Sequence, residues 1–202
     1  MDREQLFNFL AASPGFASSV IQKAFTEVDR RDFVPDAISH LAYLDQALPI
    51  GGGATISQPT VVLFMLNQLD IRSGQKVLDI GSGSGWTTAL LSAAVGAKGR
   101  IYGVEMVPEL VKLGRDNLSK YPLLKNWEIL PAGPQLGLSK HAPFDRILVS
   151  AAAGSLPPSL LPQLNNWGIM VLPVASSVVR VAKEGEKISR EDFPGFVFVP
   201  LV

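Results

Sequence analysis

The stretch Asp79-Ile80-Gly81-Ser82-Gly83-Ser84-Gly85 follows an apolar run, KVLDI (76–80), and leads into WTTALLSAAVG. Glycines at 81, 83 and 85 let a backbone turn sharply and come close to a ligand. The free N–H groups of a helix start, with Ser82 beside them, attract a carboxylate or phosphate. Taken alone, the loop reads equally well as a tight strand-to-helix turn. Glu105 closes the next apolar run, IYGVE (101–105), 24 residues after Gly81. An acidic side chain there can accept bonds from both hydroxyls of a ribose, and the pair implies a nucleoside cofactor. The spacing is GxGxG, where pyrophosphate binders use GxGxxG, and Asp79 precedes the first glycine. A carboxylate at that point repels a pyrophosphate and suits a cation, and S-adenosylmethionine carries both a sulfonium and an ammonium. The competing reading of Asp79 is a cap of the turn itself.

A second candidate is GGGATISQP (51–59), which places Thr55 and Ser57 directly ahead of a strongly apolar run. Ser57 is the right residue type to cap a helix beginning near Pro59, and equally to donate a hydrogen bond to a bound carboxylate. The three glycines read as a hinge. Ala151 and Ala152 follow the run FDRILVS (144–150), where small residues at a strand end leave room for a ligand; packing accounts for them as well. His40 and His141 stand far apart and read as solvated or capping residues. Trp86, Trp127 and Trp167 read as packing residues.

The elements that position these groups follow from periodicity. Ala17, Val20, Ile21, Ala24, Phe25 and Val28 recur at helical spacing, with Gln22, Lys23, Glu27 and Arg30 on the opposite, polar face, up to about Pro35. Pro59–Leu69 reads as a helix apolar around most of its circumference. The runs at 76–80, 101–105, 126–130, 144–150 and 167–174 look like strands buried on both faces, as in a parallel sheet, with helical patterns at 86–96 and 108–120 between the first three. The alternation predicts an open, doubly wound α/β sheet. VVRVA and FVFVP, on either side of the charged KEGEKISRED, read as paired strands closing an edge.

With 202 residues, 47% of them hydrophobic, the chain can fill one large core. Lys plus Arg and Asp plus Glu number 18 each, so no electrostatic bias favours nucleic acid or an anionic membrane. Cysteine is absent, which removes disulfides, thiol nucleophiles and thiolate zinc sites. MDREQLFNFL lacks the basic and long apolar regions of a secretion signal, and the longest apolar windows, about 10 residues, are too short to span a bilayer. A cytoplasmic monomer without metal is the expectation.

VLDIGSGSGWTTALL followed by VEMVPEL resembles the cofactor-binding motifs of class I S-adenosylmethionine-dependent methyltransferases. More narrowly, AYLDQALPIG, ATISQP, APFDRILVSAAA, LPPSLLPQL and FVFVPL resemble the protein-L-isoaspartate (D-aspartate) O-methyltransferase family, from about Phe33 to the C-terminus. The resemblance implies one methyltransferase domain over residues 1–202, with N-terminal helices and a substrate loop in 1–58 and a cofactor-binding core in 59–202. It further implies a Rossmann-like, mostly parallel seven-stranded sheet, and methyl transfer from S-adenosylmethionine to the α-carboxylate of isoaspartyl residues in damaged peptides and proteins. Carried over residue by residue, it assigns the substrate carboxylate to Ser57, aided by Gln58, Ala151 and Ala152. It assigns the cofactor to Thr55, Ile56, Asp79, Gly81, Ser82, Gly83, Gly85, Glu105, Met106, Ala132 and Gly133. The family's Gly-Asp-Gly after the third strand is replaced here by Pro131-Ala132-Gly133-Pro134, so the expected acceptor for the adenine amino group is missing at Ala132. Two other readings keep the fold: a methyltransferase of another carboxylate, and a binding module without catalysis.

Overall fold

In the computed structural model, residues 1–13, 16 and 18–198 are described. Two short helices open the chain. Helix α1 (Arg3–Ala11) begins with a capping box in which Asp2 and Gln5 exchange side-chain and backbone bonds, and α2 (Ser19–Glu27) buries Ile21, Ala24 and Phe25. Ala17, placed at the head of that helix by its periodicity, lies outside the described residues. An antiparallel hairpin of β1 (Leu48–Gly51) and β2 (Ala54–Ile56) precedes α3 (Pro59–Gln68).

The remainder is one seven-stranded sheet built from β3 (Lys76–Ile80), β4 (Arg100–Glu105), β5 (Trp127–Pro131), β6 (Phe144–Val149), β7 (Leu164–Val174), β8 (Ser177–Glu184) and β9 (Lys187–Pro194), in the order β5-β4-β3-β6-β7-β8-β9. The five strands from β5 to β7 are parallel; β8 and β9 run antiparallel to their neighbours. From central β3 the chain winds outward through α4 (Trp86–Val95) and α5 (Pro108–Ser119) to β5, then returns to β6 on the other side. That reversal opens a crevice at the carboxyl ends of β3 and β6.

Strand alternation fills a core on each face. Val77, Ile101, Ile129 and Leu148 join the side chains of α1 through α5, whereas Leu78, Val104, Ile147 and Met170 face the other way. This second face is covered by loops and the short helices Ser139–His141 and Pro158–Gln163. No helix among the described residues is long and apolar enough to cross a membrane.

Three expectations need correction. The closing hairpin turns at Glu184–Lys187, and its outer strand is the charged KISREDFP rather than FVFVP, of which 199 and 200 lie outside the described residues. An edge strand wet on both faces needs no apolar pattern, and charge there blocks pairing with another chain. Ser57 does not cap α3: the Asp45 carboxylate accepts from the Thr60 backbone N–H at 2.8 Å and from its hydroxyl at 2.7 Å, doing the capping from a distant loop. Arg30, read as part of a polar face, is only 3% exposed.

Candidate active site

A cavity of about 730 Å3 lies at the crevice, within the size range of small-molecule sites. Four segments close it: the hairpin from Gly52 to Ser57, the loop Gly81–Ser84 after β3, Glu105–Val107 after β4, and Ala132–Gly137 after β5; Ser150 and Ala151 after β6 complete the wall.

Glu105 is the electrostatic centre of this arrangement. Its Oε2 accepts from the Gly83 N–H at 2.9 Å, and its Oε1 accepts from the N–H groups of Met106 and Val107 at 2.8 and 3.0 Å. One carboxylate thus fastens the glycine loop to the residues that lead into α5, and with Oε1 accepting twice, the remaining acceptor capacity lies on Oε2. Ser82, 4% exposed, lines the same wall, and among the described residues its Oγ finds no partner. A buried hydroxyl left unpaired costs about 1–3 kcal/mol, which a ligand acceptor would recover.

Opposite stands the hairpin. Gly51, Gly52 and Gly53 have φ of 91°, 59° and 75°, a left-handed run that side chains disfavour, and they form the turn between β1 and β2 rather than a free hinge. The tip rests on the cofactor-side wall, since a Cβ at Gly52 would come within 3.0 Å of Val107. Thr55, Ile56 and Ser57 follow on the inner side. Among the described residues no hydrogen bond occupies the Ser57 hydroxyl, while the Ser57 carbonyl accepts from Arg30 Nη2 at 3.0 Å.

Arg30 organises this whole wall, a role its place in a polar pattern did not signal. Its guanidinium donates to the carbonyls of Ala42 at 2.6 Å, Leu44 at 3.3 Å and Gln46 at 2.8 Å as well as Ser57, and it lies 5.2 Å from the centre of the Trp86 ring. Burial lowers its pKa to about 10, partly offset by Asp45, so it stays cationic at neutral pH. The segment Ala42–Ser57 is therefore gathered around one charge, and Ser57 is held by its backbone.

Four residues assigned to ligands sit elsewhere. Gln58 turns away from the cavity and donates to Asp45 Oδ2 at 2.9 Å, because the carboxylate that caps α3 also needs a partner. Ala152 lies beyond the wall formed by Ala151. Gly85, φ 88°, is a packing residue: a Cβ would meet Leu118 at 2.5 Å and the Gly114 carbonyl at 3.0 Å. Substituting Gly85→Ala combines roughly 1–3 kcal/mol of backbone strain with a similar overpacking cost, so unfolding by denaturant should shift by more than about 2 kcal/mol. An unchanged midpoint would show that α4 and α5 are not locked together here.

Asp79 is fully buried beneath α4, where Oδ2 accepts from the hydroxyls of Thr87 at 2.8 Å and Thr88 at 2.6 Å and, among the described residues, Oδ1 has no partner. It supports the turn rather than facing the ligand. Burial raises its pKa from 3.8 to about 6, against the two threonine bonds, and Glu105 adds to the rise. Since the folded pKa lies above the unfolded one, folding favours the protonated form. The group's contribution is fully present below about pH 4 and is lost as pH rises to about 6, by roughly 3 kcal/mol. Asp79→Asn is neutral throughout; its stability relative to the parent should rise by that order between pH 4 and 7. Parallel pH–stability curves for the two proteins would contradict this.

The remaining assigned residues, Thr55, Ile56, Ser57, Gly81, Ser82, Gly83, Glu105, Met106, Ala132, Gly133 and Ala151, all line the cavity. Trp86, read as packing, is also a wall, as are Pro134, Gln135, Leu136 and Gly137. Their position directly after β5, at the carboxyl end of the sheet, was the signal available for the last four.

Comparison with known proteins places this arrangement. Residues 1–202 match the family described as protein-L-isoaspartate(D-aspartate) O-methyltransferase. A protein-L-isoaspartate O-methyltransferase from Fervidobacterium nodosum is 41% identical over 188 residues, covering 91% of this chain and 94% of its own. One from Methanothrix thermoacetophila is 39% identical and covers 100% and 95%. Among solved structures, one from Plasmodium falciparum in complex with S-adenosyl-L-homocysteine superposes with a TM-score of 0.89 at 22% identity, over 100% of this chain and 99% of its own. At that identity the likeness speaks for the fold.

Proposed function

The chain belongs to the protein-L-isoaspartate(D-aspartate) O-methyltransferase family, and on that premise we propose that it methylates the α-carboxylate of L-isoaspartyl residues in peptides and proteins, using S-adenosylmethionine. The observation that carries the reading is one cavity lined by the glycine loop, Glu105 and Ser57 together.

The residues present fit the cofactor. Gly81–Gly83 offer backbone to its amino-acid end, Ser82 an unpaired hydroxyl, Glu105 an acceptor for ribose hydroxyls, and Val107, Leu136 and Met106 an apolar surround. When bound, S-adenosylmethionine supplies an electrophilic methyl group on a sulfonium. The protein's remaining task is small. A carboxylate with a pKa near about 4 is ionised at pH 7, so no general base is required. Ser57 donates to one carboxylate oxygen and fixes its direction, and such orientation can remove up to roughly 7–11 kcal/mol of barrier. The hairpin covers the carboxylate and thins its water shell. Attack neutralises charge, so a dry site favours it.

At the adenine end, Ala132 contributes only its backbone N–H, which donates to the Glu105 carbonyl at 2.8 Å. Gln135, on the same wall, is the side chain with acceptor capacity nearest in sequence. Ala132→Asp restores a charged acceptor and should tighten S-adenosylhomocysteine binding about tenfold or more, read by calorimetry. Equal affinity would show that adenine does not meet residue 132.

The test of function is transfer of labelled methyl to a peptide carrying one isoaspartyl residue and to its aspartyl isomer. Base-labile ester on the first alone is expected. Labelling of neither, or of both equally, would sink the proposal.

A further inference from the structure

Among the described residues that line the main cavity, Glu105 alone carries a formal charge. The residues outside that description, 14, 15, 17 and 199–202, are Pro, Gly, Ala, Val, Pro, Leu and Val, so none brings a cationic side chain. Sites for a carboxylate commonly present an arginine or lysine to it. Here the segment around Ser57 offers hydroxyls, backbone and apolar groups instead.

Arg30 does not supply the missing charge. It is 3% exposed and stands outside the cavity's walls, and its guanidinium donates to the carbonyls of Ala42, Gln46 and Ser57. Asp45 lies close enough to offset part of its charge. The free N–H groups at the head of α4 attract anions, but on the functional reading above they face the amino-acid end of the cofactor. A carboxylate entering without cofactor therefore meets neutral donors at Ser57 and a like charge at Glu105.

Resting on that functional reading, we propose that the chain leaves the counter-charge of the substrate carboxylate to the cofactor's sulfonium, so that the cavity captures an anionic peptide only when a cationic cofactor is already seated. The reacting atoms must come within about 3–3.5 Å, which sets opposite charges side by side. Under the hairpin, away from bulk water, that attraction is worth far more than in solution. Methyl transfer forms the oxygen–carbon bond and breaks the sulfur–carbon bond, whose electron pair stays on sulfur. Both charges vanish together, leaving a neutral ester beside a neutral thioether. With no cation on its walls, the cavity keeps nothing that holds the ester as it held the acid. The same absence that makes capture depend on the cofactor favours release of the product.

Calorimetry on the full-length protein tests this with two cofactor analogues and two peptides. Sinefungin carries a protonated amine where the sulfonium stands and transfers no methyl; S-adenosylhomocysteine is neutral at that position. One peptide carries an isoaspartyl residue, and the other has its α-carboxylate replaced by a carboxamide. Expected is isoaspartyl peptide binding about tenfold or more tighter to the saturated sinefungin complex than to the saturated S-adenosylhomocysteine complex, with the carboxamide peptide differing by about threefold or less. Equal isoaspartyl affinity in the two complexes, an equal gain for the carboxamide, or failure of sinefungin to bind where S-adenosylhomocysteine does would each overturn the inference and leave the functional reading standing. No isoaspartyl binding to either complex would overturn both.

Discussion

Ser57→Ala lowers kcat/KM for an isoaspartyl peptide by roughly tenfold to 150-fold, the worth of one hydrogen bond to a charged group, and leaves S-adenosylhomocysteine affinity unchanged. Carboxylate charge falls as the ester forms, so the Ser57 bond is strongest before transfer and acts by binding and aim rather than by stabilising transition-state charge. KM should therefore rise at least as much as kcat falls, and Ser57→Thr, which keeps the hydroxyl, should recover part of the loss. Steady-state kinetics with calorimetry beside them separate these outcomes. A fall in kcat alone, with KM unmoved, would mean that Ser57 does something other than hold the carboxylate.

Arg30→Met costs about 3–5 kcal/mol of stability, the usual range for removing one member of a buried charged network, and lowers the melting temperature by roughly 10–15 °C. Methionine fills similar space but leaves the carbonyls of Ala42, Gln46 and Ser57 without their donor. At temperatures where the variant stays folded, the slackened loop should raise KM for the peptide. Arg30→Lys should recover little, because one ammonium cannot reach carbonyls spread from residue 42 to residue 57 in the way a planar fork does. Thermal melting and peptide KM are the two readings. A variant as stable as the parent would remove Arg30 from the account of how Ser57 is placed.

The central strands were legible because a parallel strand buried on both faces must be apolar at every position, and Val77, Leu78 and Ile80 write that plainly. The glycine loop and Glu105 were legible because their spacing is set by one strand–helix–strand unit. Arg30 was not. At the end of an amphipathic helix an arginine reads as solvated, and only the arrival of carbonyls 12 to 27 residues later makes burial tolerable. Asp79 misled for the opposite reason: a charge beside a ligand loop suggests a ligand contact, yet the β3 register sends it beneath α4, where Thr87 and Thr88 receive it. Gln58 was placed with Ser57 by adjacency, and Asp45, brought in by the fold, drew it away. Strand β9 was missed because an exposed edge carries no periodic apolar signal. For Arg30 and Gln58 the missing information was a partner distant in sequence.

On the proposed reading the Ser57 hydroxyl and the Glu105 side of the cavity serve one reaction, substrate carboxylate on one wall and cofactor on the other. A crystal structure with S-adenosylhomocysteine and an isoaspartyl peptide tests it most directly. Expected is the α-carboxylate with one oxygen about 2.5–3.0 Å from Ser57 Oγ, facing the cofactor sulfur, and the ribose hydroxyls on Glu105. A peptide bound with its carboxylate away from Ser57, or a ribose that does not meet Glu105, would contradict it.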